Sequence, residues 1–199
     1  SYISKPLFMG SECSFPNMFL WRIYLHTYWS IDQDFLLIKV KKSGKDFFLQ
    51  PFGGKDEDLP LVIEELRTYH DNKGFEFHGI YENSLERLRP FAPTANYEED
   101  RDNWDYVYLQ TDLANLSGRK YHGQKNHYNA FKKANPDYAF EPINPNIYAE
   151  CLAFGEEWCR KKMMDDESVK YEIQAIREAF VNFTKLGLRG GAIRVGGRI

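Results

Sequence analysis

The sequence predicts an α+β chain, mixed α/β in composition, whose sheets are largely antiparallel. Three observations carry this. Apolar residues recur at helical spacing in some stretches and in short β-rich runs in others, with Gly, Pro and Asn between them. Two β-rich runs, Asp34 to Val40 and Asp46 to Gln50, are joined by the polar turn Lys41-Lys42-Ser43-Gly44-Lys45, which reads as an antiparallel hairpin. Helices are interposed between hairpins and single strands, an order that a doubly wound parallel sheet does not have.

In chain order, Cys13 to Tyr28 reads as a first helix, with Ser14 as N-cap and Pro16 in its first turn. Phe19, Leu20, Ile23 and Tyr24 give its period. After the hairpin, Pro51-Phe52-Gly53-Gly54 forms a turn. Asp56-Glu57-Asp58 then opens a helix to about Asp71, its acids complementing the helix dipole. Leu59, Ile63, Leu66 and Tyr69/His70 form its apolar face, and Asn72-Lys73-Gly74 stops it. Phe75 to Tyr81 reads as a strand and Ser84 to Leu88 as a short helix ended by Pro90. Tyr97 to Leu109 reads as a strand, because Trp104, Tyr106 and Tyr108 share one face at period two. Asp112 caps a turn from Leu113 to Leu116. Arg119 to Ala134 is a basic helix, Tyr138 to Ile143 a strand, and Asn144-Pro145-Asn146 starts a helix from Ile147 to about Met163. Asp165-Asp166-Glu167-Ser168 starts another, ending at Leu186-Gly187. Gly191 to Val195 with the Gly196-Gly197 turn reads as half a hairpin. Such a turn calls for several returning residues, and only Arg198-Ile199 follow, so the expectation is a chain cut inside a domain. Ser1 in place of Met points to a trimmed start.

With 199 residues, 43% apolar and 28% charged, the chain has the composition of a globular protein of one large or two small domains. Net charge is −3, which argues against a polyanion-binding surface over the whole molecule and leaves room for a local patch. The three cysteines, Cys13, Cys151 and Cys159, include no CxxC pair, so they read as free buried thiols; no metal site is expected. No apolar run reaches the ~20 residues of a membrane span, and a cytoplasmic location is the expectation.

The local patch lies between Leu113 and Pro136. This stretch holds Arg119, Lys120, Lys125, Lys132 and Lys133 with His122 and His127, and no acid. Tyr121, Tyr128 and Phe131 are interleaved. On a helix Tyr121, Lys125, Tyr128 and Lys132 share a face. Cations beside aromatic planes suit phosphate, nucleotide or an RNA backbone; the other reading is a solvated helix whose rings pack inward. Asn126 and Asn129 sit mid-helix, where Asn is a poor former unless a hydrogen bond compensates. The Gly53-Gly54 turn has the form of an anion-holding loop, but the acids after it oppose that use and favour a plain tight turn. His26, His70 and His78 stand alone and read as structural or surface residues. The acids from Glu98 to Asp105 read as a solvated loop. Neither a nucleophile elbow nor a phosphate-binding P-loop is present.

Several stretches resemble one bacterial family: Asp105-Tyr106-Val107-Tyr108, Leu113 through His122, Lys125-Asn126-His127 and Phe131, with Cys13 through Asn17, Trp21 and Pro51-Phe52-Gly53. The family is related to the C-terminal domain of phosphatidylglycerol lysyltransferases. The resemblance implies tandem GNAT-like acyltransferase domains, a first over 1–110 and the N-terminal part of a second, with its connecting basic helix, over 111–199. The second domain would be incomplete at its C-terminus. It further implies transfer of an acyl or aminoacyl group from a phosphate-containing donor, acyl-CoA or aminoacyl-tRNA, to an amine or hydroxyl acceptor. The related lysyltransferases give an aminoacyl group from tRNA to a lipid headgroup. Lys120, Lys125 and Lys132 are then the expected phosphate contacts and Asn126 an orienting group. No catalytic residue is carried over. Where the family pattern has two consecutive cations before the Asn, this chain has Gln124-Lys125, one charge fewer. The alternative is a GNAT-like shell that binds RNA or nucleotide without catalysis.

Overall fold

The computed structural model describes residues 10–42, 44–71, 73–162 and 167–199. Ser43 of the hairpin turn, Asn72 of the helix stop and Asp165-Asp166 of the last helix start lie outside the described residues, as does Ser1. The chain divides into two compact units, 1–105 and 106–199.

The first unit is built on the predicted hairpin. Strand β1 (Tyr28–Asp32), β2 (Phe35–Lys42) and β3 (Lys45–Leu49) run antiparallel, Trp29 opposite Ile38 and Val40 opposite Phe47. The two-residue β4 (Phe52–Gly53) returns antiparallel to β2 at Phe35 and Leu36. β5 (Phe77–His78) lies parallel to β3. A parallel pair needs a crossover, and helix α2 (Leu59–Tyr69) supplies it, after a 3-10 turn at Asp56–Asp58. α1 (Phe15–Trp21) comes before the sheet and α3 (Glu82–Leu88) after it.

Alternation along β2 divides its side chains between two cores. Phe35 and Leu37 join Phe48 and the α2 residues Leu59, Val62, Ile63 and Leu66. Ile38 and Val40 join Phe52 and Cys13, with Met18 of α1 packed beside them. The Pro51-to-Gly54 segment is a tight turn for a steric reason. Gly54 has φ +59°, and a Cβ there would lie 2.2 Å from the Phe35 ring. Asp56 is held by the Arg87 side chain, which also donates to the Gly53 carbonyl at 3.2 Å.

Four expected elements differ. The first helix stops at Trp21 and not at Tyr28. Ser14 does cap it, accepting from the Asn17 amide at 3.3 Å. Beyond Trp21 the chain turns through His26, whose φ is +40°, and Tyr28 enters β1. The strand expected over Phe75 to Tyr81 shrinks to Phe77–His78, because Gly79 at φ +65° turns the chain away. No strand forms over Tyr97 to Leu109 among the described residues. A 3-10 turn occupies Arg101–Asn103, and Tyr106, Val107, Tyr108 and Leu109 are exposed, so period two there reflects no ladder. The last helix ends at Val181, and residues 182–187 continue as turns.

In the second unit, α4 (Gln110–Asn115) precedes a 3-10 turn at Arg119–Tyr121 and the basic helix α5 (His122–Ala134). β6 (Ala139–Pro142) pairs antiparallel with β7 (Gly191–Arg194), Phe140 opposite Ile193. α6 (Tyr148–Lys162) and α7 (Glu167–Val181) connect them. Ile147, Cys151 and Ala192 form the core, with Ile143, Phe180 and Ile199 against it. Arg194 fastens the sheet to α6. Its guanidinium reaches both Glu150 carboxylate oxygens at 2.7 and 2.9 Å and Glu141 at 2.8 Å. Cys13, Cys151 and Cys159 are buried and form no disulfide. The whole is an α+β fold with predominantly antiparallel sheets.

Candidate phosphate-contact helix

The basic segment starts on a left-handed stop. Leu116 ends α4 at φ +46°, and Gly118 at φ +87° starts the 3-10 turn that carries Arg119 and Lys120. Tyr121 is the anchor of this turn. It is 6% exposed, and its hydroxyl donates to the Asp112 carboxylate at 3.2 Å. It therefore does not stand with Lys125 and Lys132 on an outer face, because its ring is spent on packing.

Asp112 is not the cap that its position in the sequence suggests. Leu109 takes that place, and Asp112 sits in the first turn of α4. Its carboxylate accepts from Lys120 Nζ at 2.8 Å as well as from Tyr121. The Lys120 hydrogen bond holds Asp112 below the usual carboxylate range, and the same bond raises Lys120. Lys120 also lies over the Tyr121 ring, 4.8 Å from its centroid. Thus one of the four candidate residues has its charge already engaged, by an acid eight positions earlier.

Lys125, Asn126 and Lys132 are exposed on α5. Neither Lys125 nor Lys132 makes an ion pair among the described residues. Lys132 Nζ lies 5.3 Å from the centroid of Tyr128, itself 48% exposed. The helix is held down from its far end, where Phe131 meets Tyr138 edge-on at 5.3 Å. Tyr138 is raised above the usual phenol range, chiefly by its hydrogen bond with Tyr128. Asn126 and Asn129 make no side-chain hydrogen bond among the described residues, so the compensation expected for Asn within a helix is not found and both amides face water.

The result is an outward face of Lys125, Tyr128 and Lys132, with Asn126 exposed to one side of it and no carboxylate on the helix. Guanidinium and ammonium groups beside an exposed ring can neutralise phosphates and stack a base. A cleft of about 380 Å³ in the same unit is lined by other residues, and none of the four candidates lines it. His122 and His127 are on α5, whereas His26, His70 and His78 belong to the first unit: His78 stacks on Phe47 at 4.1 Å, and its hydrogen bond to Glu76 lowers that carboxyl.

The family described as phosphatidylglycerol lysyltransferase, C-terminal, matches residues 7–199, and the chain belongs to it. A crystal structure of a conserved protein of unknown function from Bacteroides thetaiotaomicron VPI-5482 is similar, with a TM-score of 0.83 and 34% identity. The match covers 94% of this chain and 64% of that one, so the present chain spans under two thirds of that protein's length. No curated protein matches the chain. Among the described residues no helix is long and apolar enough to cross a membrane.

Proposed function

We propose that the chain is part of a GNAT-like aminoacyl- or acyl-transferase and that α5 contacts the phosphates of its donor. Family membership supports the transfer. The observation that carries the donor contact is the acid-free face of Lys125, Tyr128 and Lys132, whose two ammonium groups make no ion pair among the described residues. Because this face is exposed and none of its residues lines the cleft of about 380 Å³ in its unit, an extended polyanion suits it better. Aminoacyl-tRNA is therefore favoured over acyl-CoA as the donor. Transfer would proceed by attack of an acceptor amine or hydroxyl on the donor's ester carbonyl. Backbone N–H groups would stabilise the oxyanion, and the donor hydroxyl would leave with the proton.

A second reading keeps α5 and drops the reaction: a GNAT-like shell that binds RNA alone. The absence of a recognisable nucleophile–base pair in the sequence favours keeping it in view. Filter binding with tRNA, a thermal-shift series with acyl-CoA and an aminoacyl-transfer assay separate the two. The transferase predicts tRNA binding that Lys125→Ala and Lys132→Ala each weaken several-fold, together with turnover. Binding without turnover supports the module. Unchanged affinity in both variants would remove α5 from either reading.

A further inference from the structure

The second unit contains a cleft that the donor reading does not use. Three separate segments line it: Ile143, Asn144 and Pro145 after β6, Tyr148 at the start of α6, and Phe183, Thr184, Gly187, Leu188 and Arg189 after α7. Its volume is about 380 Å³, and it is broadly open to solvent. At about 30 Å³ per water-sized group, it holds roughly a dozen. The wall mixes apolar and polar groups, with Asn144 and Thr184 beside the rings and aliphatic side chains. Tyr148 and Phe183 stand 5.2 Å apart with their planes at 47°, and Ile143, Pro145 and Leu188 complete the apolar part.

Charge is one-sided. Arg189 is the sole ionisable cation of the lining, and no carboxylate lines the cleft. Arg189 is exposed and makes no side-chain hydrogen bond or ion pair among the described residues. The Tyr148 hydroxyl likewise has no hydrogen-bond partner there. A guanidinium offers a planar fork matched to a carboxylate or phosphate, and the two rings offer flat apolar surface. We infer that this cleft binds a small organic anion, an aromatic body carrying one carboxylate or phosphate, with Arg189 as its anion contact. The inference is independent of the role given to α5.

Two probe pairs test it: adenosine 5′-monophosphate against adenosine, and indole-3-acetate against indole. Each is titrated calorimetrically, and binding is mapped by the methyl resonances of Ile143 and Leu188. At least one anionic probe should bind tenfold or more tightly than its neutral partner and shift both methyl sets. Arg189→Ala should abolish that advantage while leaving the neutral probe unchanged; as an exposed residue, Arg189 is replaceable without harm to the fold. The phosphate and carboxylate arms show which anion the fork prefers. Equal binding of anion and neutral partner in both pairs, shifts confined to other residues, or an Arg189→Ala protein that retains the preference would overturn the assignment.

Discussion

Asp112 governs how much positive charge the basic segment presents. Its carboxylate takes both the Lys120 ammonium and the Tyr121 hydroxyl. Exposed ion pairs of this kind are weak and screened by salt, so a phosphate can compete for Lys120. Asp112→Asn should therefore strengthen tRNA binding by about two- to fivefold, read by filter binding at low salt; weaker binding would show that the pair positions the helix. Glu150 is the second decisive carboxylate. Arg194 holds it below its ordinary value of 4.5, first through their hydrogen bonds. A depressed carboxyl stabilises the fold above its unfolded pKa and loses that contribution as pH falls through the folded value. Thermal stability of the wild type should decline as pH drops below 4.5, and Glu150→Gln should flatten that part of the profile.

At the scale of elements, sheet and helix stand or fall on a few buried positions. Phe35 is fully buried between β2 and α2, and Phe35→Ala should cost about 3–5 kcal/mol in denaturant unfolding. Gly54→Ala forces a Cβ against that same ring at positive φ, and a loss above about 1 kcal/mol is expected. The α2 helix was legible because its N-terminal acids, Pro60 and the Leu59, Ile63, Leu66 period all agree. α5 was legible for the same kind of reason, with Pro136 just past its end. β1 was not, because Ile23 and Tyr24 continue the helical spacing past Trp21, and most of its own residues are exposed. β4 and β5 have two residues each, too few to show a period. Tyr97 to Leu109 shows the converse, alternation without burial. Within the candidate site, Lys125, Asn126 and Lys132 could be read from the acid-free stretch. The Asp112–Lys120 pair could not, since it forms across a left-handed turn at Leu116 and Gly118. The Arg189 cleft is assembled from segments some forty residues apart, which no local pattern reports.

On the scale of the whole molecule, each unit has its own core: the two faces of the first sheet in 1–105, and Ile147, Cys151 and Ala192 in 106–199. The donor contact assigned to α5 belongs to the second unit alone. Its most direct test is the dependence of tRNA affinity on salt. Each cation that neutralises a phosphate contributes about 0.7–0.9 to the slope of log affinity against log salt. Lys125→Ala and Lys132→Ala should each reduce the slope by about that amount, and the double variant should reduce it by both. A slope identical in wild type and double variant would contradict the donor contact, because those two ammonium groups would then touch no phosphate.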